Sequence, residues 1–241
     1  MKFALIGHPV AGSLSPRLFA AAYDGRYPYD LIDRGCFEDA WKVFLAQYDG
    51  INVTAPFKQD AFAKADVLSE EAQRIGAVNL VVKRAQKLLG YNTDVDGIAL
   101  AVNECGLPVT DALVVGTGGA ARAAIVAARK LGCRVSVTGR SEEKAAGLAA
   151  HFGCQTAPWE GLEALRPNVI IYTLPGGAPV PPGLNFAASV VLEAEYKKPA
   201  LSGLPCKAYI PGQRWLLWQA AAGYELFTGE KPNMENLLNA I

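Results

Sequence analysis

The sequence is poor in histidine. Only two of its 241 residues, His8 and His151, carry an imidazole ring. A zinc site built from the usual histidine and cysteine ligands is therefore not expected, and we predict no bound metal. The same shortage limits catalysis, because a general acid or base must then come from lysine, aspartate, glutamate or tyrosine.

The chain also lacks a net charge, since 23 Lys and Arg residues balance 23 Asp and Glu residues. Without a net field there is no electrostatic case for a nucleic acid partner or an anionic membrane surface. No apolar run approaches the roughly 20 residues that a membrane span needs. The first apolar stretch, broken by Gly7 and Pro9, is too short for a signal peptide and is predicted to be a strand.

The five cysteines show no C-x-x-C spacing, and their number is odd. This pattern is typical of reduced thiols, so we expect a cytoplasmic protein. What the chain does contain is a hydrophobic fraction of 51%, with 24 glycines and 15 prolines. That composition indicates an α/β enzyme, and the length suffices for one large domain or two modest ones.

Strand patterns alternate with helical patterns along the chain, which indicates α/β architecture with parallel strands. In the first part, strands are predicted at 2–7, 28–33 and 50–55, followed by a hairpin-like pair at 77–84 and 87–92. A second unit begins near Leu113, with strands predicted at 112–116, 134–139, 168–175 and 190–196. Two helical patterns close the chain, and they are too apolar to form a tail.

The clearest motif is VVGTGGAARA, residues 114–123, which joins a predicted strand to a predicted helix. It places two glycines and an alanine in G-x-G-x-x-A register, so that backbone N–H groups can approach a pyrophosphate at the helix N-terminus. A small-residue turn that packs a helix on a strand could produce the same pattern. The strand–turn–helix context favours dinucleotide binding. The predicted cofactor contacts in this loop are Gly116, Gly118, Gly119 and Ala120.

The end of the next strand bears on which dinucleotide is bound. An NAD site places Asp or Glu there to hold the ribose 2′-hydroxyl, but this chain has Arg140 and Ser141, with Lys144 one turn later. Two cations without an acid suit a 2′-phosphate, so we predict NADP and assign all three residues to its site. The alternative is that Arg140 and Lys144 form a solvated face with Glu142 and Glu143.

Further motifs lie in order over nearly the whole chain: GHPVAGSLSP (7–16), NVTAPFK (52–58), GAVN (76–79), GYNTDVDG (90–97), GTGGAARA (116–123) and a C-terminal Gln219-Ala220. In these motifs the sequence resembles the shikimate dehydrogenase family. The resemblance implies an N-terminal α/β substrate domain and a Rossmann-type, doubly wound NADP-binding domain, with the active cleft between them. It also implies NADPH-dependent, reversible reduction of 3-dehydroshikimate to shikimate, a step of aromatic amino acid and chorismate biosynthesis.

The resemblance also assigns roles to single residues. Lys58 is the implied acid and base, with Asp94 as its natural partner. The residues implied to bind the substrate carboxylate are Ser13, Ser15 and Tyr196. Those implied to address its hydroxyls are Thr54, Asn79, Asp94 and Gln219. Structural alternatives remain for three of them, because Ser15 could cap the first helix, Asn79 could belong to a turn and Gln219 could lie on a helix surface.

We predict a substrate-binding and catalytic domain of residues 1–97 with 214–241, and an NADP-binding domain of residues 98–213, in a monomer or homodimer. The sequence departs from the family in the segment 172–178, where the usual Asn-x-Thr-x-x-Gly-Met is replaced, and at Gly139, where asparagine is usual. The placement of the nicotinamide is therefore less defined than recognition of the 2′-phosphate.

Two other functions fit parts of the pattern. A quinate/shikimate or related polyol-acid dehydrogenase that uses NAD would keep both Lys58 and Asp94, so only Arg140 argues against it. A catalytically silent NADP-binding regulatory protein would usually lose the lysine–aspartate pair, and this chain has both residues.

Overall fold

A computed structural model describes all residues from 1 to 241. The chain forms two compact units, one of residues 1–93 with 217–241 and the other of residues 94–216. The chain passes from the first unit to the second between Thr93 and Asp94. It returns to the first unit between Leu216 and Leu217, within the helix Gly212–Thr228.

The first unit is built on a six-stranded sheet with strand order β2-β1-β3-β5-β6-β4. Its strands are β1 (Phe3–Gly7), β2 (Tyr29–Asp33), β3 (Gly50–Val53), β4 (Val67–Leu68), β5 (Leu80–Arg84) and β6 (Lys87–Tyr91). Its helices are α1 (Ser15–Ala22), α2 (Phe37–Gln47), α3 (Lys58–Lys64), α4 (Glu70–Ile75) and α9 (Met234–Leu238). The chain's longest helix, α8 (Gly212–Thr228), also belongs here from Leu217 onward.

This sheet is mixed: it contains the parallel strands and the hairpin-like pair that the sequence predicts. Strands β1, β2 and β3 are parallel, but β5 runs antiparallel to both β3 and β6. The hairpin between β5 and β6 turns through Ala85 and Gln86, which both have positive φ, at 46° and 63°. Two such residues form the tight turn that joins antiparallel strands directly.

The core of the first unit lies on both faces of this sheet. On one face, α2 buries Phe37, Trp41 and Phe44 at helical spacing against the central strands. On the other face, the ring of Phe3 stacks on that of Phe227 with a centroid distance of 4.7 Å. Helix α8 thus packs on β1, as the apolar residues of the helix predict.

The second unit contains a six-stranded sheet with order β12-β11-β10-β7-β8-β9, in which every pairing is parallel. Its strands are β7 (Asp111–Val115), β8 (Arg134–Thr138), β9 (Gln155–Thr156), β10 (Val169–Tyr172), β11 (Val190–Glu193) and β12 (Ala208–Ile210). Its helices are α5 (Asp94–Asn103), α6 (Gly119–Lys130) and α7 (Glu142–Phe152), and α8 begins in it. The order of strands reverses between β7 and β10, which confirms the Rossmann-type doubly wound arrangement.

Burial on both faces explains the apolar strands of this sheet. Every residue of β10 and β11 is buried, and so are all residues of β7 except the first.

The cysteines form no disulfide bond: all five cysteines of the chain are free thiols. No helix combines the length and the apolar character that crossing a membrane would require.

Candidate active site and cofactor site

A buried hydrogen-bond network in the first unit joins Asn79, Thr93 and Gln219. The Thr93 N–H donates to Asn79 Oδ1 at 2.8 Å, and Asn79 Nδ2 donates to Gln219 Oε1 at 3.3 Å. The Thr93 hydroxyl donates to the same glutamine oxygen at 3.2 Å. Asn79 is 3% exposed and lies in the bend that leads into β5, and Gln219 is half-buried rather than exposed on the helix surface.

A second polar group brings Ser13 and Ser15 together. The Ser13 hydroxyl donates to the Ser15 hydroxyl at 3.1 Å, and the Ser15 N–H donates back to the Ser13 hydroxyl at 3.2 Å. Ser15 does not cap helix α1: the capping position is occupied by Leu14, and no side chain makes a cap hydrogen bond there. The buried hydroxyl of Ser15 is therefore not a capping group.

Tyr29 and Asn52 connect these two groups, and the sequence did not predict either. The Tyr29 hydroxyl donates to Asn52 Oδ1 at 2.7 Å, and Asn52 Nδ2 donates to the backbone oxygen of Asn79 at 3.4 Å. Burial raises the pKa of Tyr29 well above its usual value, although a hydrogen bond with Ser15 acts in the opposite direction. Tyr29 thus stays a neutral phenol. The sequence did contain one signal for this connection, because Asn52 is a polar residue within the buried strand Gly50–Val53.

Lys58 and Thr54 lie at the same edge of the sheet as Asn79. Strand β3 ends at Val53, and Lys58 is the first residue of α3, with a half-buried side chain. The Lys58 carbonyl accepts a hydrogen bond from the Val78 N–H at 2.9 Å. Because Val78 directly precedes Asn79, this bond fixes the start of α3 close to Asn79. A Cβ at Gly7 would lie 2.4 Å from the Thr54 methyl, so only glycine leaves room for Thr54 there.

Asp94 is the first residue of α5 in the second unit and is 8% exposed. Its Oδ1 accepts from the indole N–H of Trp215 at 3.3 Å. Trp215 was not predicted, because it lies 121 residues away and belongs to no polar motif. The predicted pairing of Lys58 with Asp94 stays a prediction.

The glycine loop between β7 and α6 has the geometry of an anion site. Gly116 has a φ of 123°, a conformation that side chains rarely adopt, and α6 begins at Gly119 after Gly118. No side chain caps this helix, so the N–H groups of its first turn remain available. A Cβ at Gly118 or Gly119 would meet no atom within 4 Å, so the loop has space for a ligand. These residues therefore fit a dinucleotide pyrophosphate.

The residues predicted to read the 2′-phosphate follow β8. Arg140 and Lys144 are exposed, and neither makes an ion pair with Glu142 or Glu143. Both cations are thus open to an anion, which argues against the solvated ion-paired face. The Ser141 hydroxyl accepts from the Lys144 N–H at 3.3 Å and caps α7. Ser141 therefore already has a structural role in positioning this turn.

Tyr196 lies in the loop after β11 and is half-buried. Burial raises the pKa of its phenol, and the neighbouring charge of Glu195 raises it further. The hydroxyl therefore stays protonated at neutral pH and can donate a hydrogen bond to a carboxylate. The Tyr196 carbonyl accepts from the side chain of Gln213 at 3.5 Å.

Comparison with known proteins agrees with this geometry. Residues 5–81 match the family model described as the shikimate dehydrogenase substrate binding domain. A protein of Thermus thermophilus named shikimate dehydrogenase (NADP(+)) is 34% identical, with 100% of this chain and 97% of that protein covered. One from Exiguobacterium sibiricum with the same name is 36% identical, with 97% of this chain and 95% of that protein covered.

Solved structures agree as well. The crystal structure of shikimate 5-dehydrogenase from Thermus thermophilus in complex with NADP(H) and shikimate has a TM-score of 0.89 and 32% identity, covering 100% of this chain and 98% of that one. Quinate dehydrogenase from Corynebacterium glutamicum in complex with NAD has a TM-score of 0.87 and 25% identity, covering 100% and 98%. The motifs, the two sheets and these relatives lead to one conclusion: the chain belongs to the shikimate dehydrogenase family.

Proposed function

We propose that this chain is an NADP-dependent shikimate dehydrogenase that reduces 3-dehydroshikimate to shikimate reversibly. The observation that carries the proposal is the buried network of Asn79, Thr93 and Gln219 at the sheet edge where Lys58 begins α3. Amide and hydroxyl groups both donate and accept hydrogen bonds, as the vicinal hydroxyls of shikimate require. A lysine beside them supplies the proton-transfer group that the two histidines do not.

Each proposed role follows from the chemistry of the side chain. When bound, NADPH supplies the hydride that reduces the carbonyl carbon. The Lys58 ammonium donates a proton to the carbonyl oxygen, which becomes a hydroxyl, and the neutral amine takes that proton back when shikimate is oxidised. Asp94 is proposed to hold the ammonium in place and to accept a hydrogen bond from a ring hydroxyl.

The remaining residues are proposed to orient the two ends of the substrate. The hydroxyls of Ser13, Ser15 and Tyr196 donate to the carboxylate. Thr54, Asn79 and Gln219 form hydrogen bonds with the ring hydroxyls. An orienting set of this kind lowers the barrier because the reacting atoms no longer have to find each other in solution.

We propose that residues 98–213 bind NADP and that residues 1–97 with 214–241 bind the substrate. The N-terminus of α6, with Gly116, Gly118, Gly119 and Ala120, would hold the pyrophosphate. Arg140, Ser141 and Lys144 would hold the 2′-phosphate, since exposed cations at this position suit a doubly charged group. The five free thiols support a cytoplasmic location, and a monomer or homodimer remains our proposal for the assembly.

Oxidation of quinate with NAD is the second candidate, because the quinate dehydrogenase that resembles this chain is in complex with NAD. Arg140 favours NADP, but no residue of the network separates shikimate from quinate. An initial-rate matrix of shikimate and quinate against NADP and NAD tests both functions. We expect the highest kcat/KM with shikimate and NADP. A higher value for quinate with NAD would replace the proposal with the second candidate.

A further inference from the structure

Two loops of the second unit follow neighbouring parallel strands at the same edge of the sheet. Residues 173–178 follow β10, and residues 194–198 follow β11. In doubly wound sheets, ligands bind beyond the carboxyl ends of the strands where the strand order reverses, here between β7 and β10. Both loops therefore border the region where the nicotinamide end of the cofactor is expected. The first of them is also where the sequence departs from its family.

The loop after β10 packs directly against the glycine loop, residues 116–119. Both the N–H and the hydroxyl of Thr173 donate to the Val115 carbonyl, at 2.9 and 2.8 Å. A Cβ at Gly116 would lie 2.3 Å from the Thr173 hydroxyl oxygen, so the two segments meet only because residue 116 has no side chain. A displacement of residues 173–178 would therefore change the surroundings of the cofactor loop.

A single carboxylate holds the rest of the loop after β10 to the loop after β11. Glu195 Oε1 accepts from the N–H groups of Lys197 and Lys198, at 2.7 and 3.2 Å, and Oε2 accepts from the Gly176 N–H at 3.3 Å. The first two bonds close a turn around Tyr196, and the third bridges to the other loop. A Cβ at Gly176 would lie 3.3 Å from the Lys198 carbonyl and Cβ, so the two backbones are in close contact.

The ionised form of Glu195 is the one that makes these bonds. Burial raises the pKa of this carboxyl, but the backbone N–H groups of Lys197, Lys198 and Gly176, together with the positive charge of Lys197, outweigh burial and hold the pKa below its usual value. The side chains of Lys197 and Lys198 are exposed. At neutral pH the residue is therefore an anion that can accept all three hydrogen bonds at once.

We propose that Glu195 is a positioning residue for hydride transfer: it ties residues 173–178 to the turn that carries Tyr196, and thereby fixes the border of the nicotinamide site. The role in hydride transfer rests on the proposed function, whereas the link between the two loops is independent of it. Glu195 belongs to none of the motifs that identify the family.

Hydrogen exchange tests the link without any substrate. Glu195→Gln keeps one oxygen that can accept from Lys197 and Lys198 but places an amide donor against the Gly176 N–H. Glu195→Asp keeps the charge but is one methylene too short to reach across. Peptides covering residues 174–180 should exchange about tenfold faster in both variants than in the wild type. The matched control is Glu160→Gln, a change at an exposed glutamate of the same unit, which should leave this exchange unchanged.

Kinetics then test the role in the reaction. With shikimate and NADP, both Glu195 variants should lose about tenfold in kcat, because the border of the nicotinamide site is less well fixed. The primary deuterium isotope effect on kcat should rise, while the Kd of NADPH from fluorescence should change less than about threefold.

Each part of the proposal has its own refuting result. Unchanged hydrogen exchange in both variants overturns the link between the two loops. Faster exchange with normal kcat and a normal isotope effect overturns the positioning role. A wild type without shikimate activity refutes the proposed function, and the exchange result still decides the link.

Discussion

Replacing Gly116 by alanine should destabilise the second unit by roughly 2–4 kcal/mol, the sum of two costs. A φ of 123° is a conformation in which a residue with a Cβ is strained by about 1–3 kcal/mol. The new Cβ would also lie 2.3 Å from the Thr173 hydroxyl oxygen. That oxygen cannot move away without losing its 2.8 Å hydrogen bond to the Val115 carbonyl, which is worth about 1 kcal/mol.

Urea unfolding of the single and double variants separates the two costs. Thr173→Ala removes the oxygen that collides, so the double variant should be more stable than the sum of the two single effects by about 1 kcal/mol or more. Gly118→Ala is the matched control, since its Cβ would meet no atom within 4 Å, and it should cost at most about 1 kcal/mol. A Gly116→Ala protein within about 0.5 kcal/mol of the wild type, or strictly additive effects, would refute the reasoning.

Two further predictions concern the same unit. Arg140→Ala should weaken NADP binding by at least about tenfold more than NAD binding, because only the 2′-phosphate of NADP would lose a charge-assisted contact with the guanidinium. Equal weakening of both cofactors in a fluorescence titration would show that Arg140 does not bind the 2′-phosphate. Glu193 is 0% exposed, and its carboxylate accepts from two backbone N–H groups and the Tyr209 hydroxyl. Glu193→Gln should lower the free energy of unfolding by about 1–3 kcal/mol, because an amide donor replaces one acceptor; a urea midpoint equal to that of the wild type would contradict this.

The second sheet was largely predictable because its strands are apolar on both faces and are separated by glycine turns. The strands that the sequence did not indicate, β4, β9 and β12, have only two or three residues, which is too short for any periodicity. The antiparallel pair of β5 and β6 was predicted as a hairpin-like pair, and the structure confirms it. The antiparallel pairing of β5 with β3 was not predicted, because it joins segments that are distant in the sequence. Local pattern therefore predicted the longer strands and the hairpin, but not how the hairpin pairs with the rest of the sheet.

The site was predictable where polar residues interrupt an apolar pattern at strand ends. Thr54, Lys58 and Asn79 stand out in this way, and the structure places them at one sheet edge. Tyr29 and Trp215 were missed because each acts through a partner distant in the sequence, Asn52 and Asp94. Both have aromatic rings that a sequence pattern assigns to the core. The hydrogen bonds of their polar atoms can be assigned only when the three-dimensional structure shows where the partners lie.

The role of Lys58 in proton transfer is the centre of this account, and one comparison tests it most directly. The kcat for shikimate oxidation with NADP should be measured for the wild type, for Lys58→Ala and for the control Lys64→Ala, which changes an exposed lysine on the same helix that pairs with Glu38. Lys58→Ala should lose about 10²–10⁴ in kcat while its Kd for NADPH stays near that of the wild type, and Lys64→Ala should behave normally. Near-normal turnover by a folded Lys58→Ala protein would contradict the account.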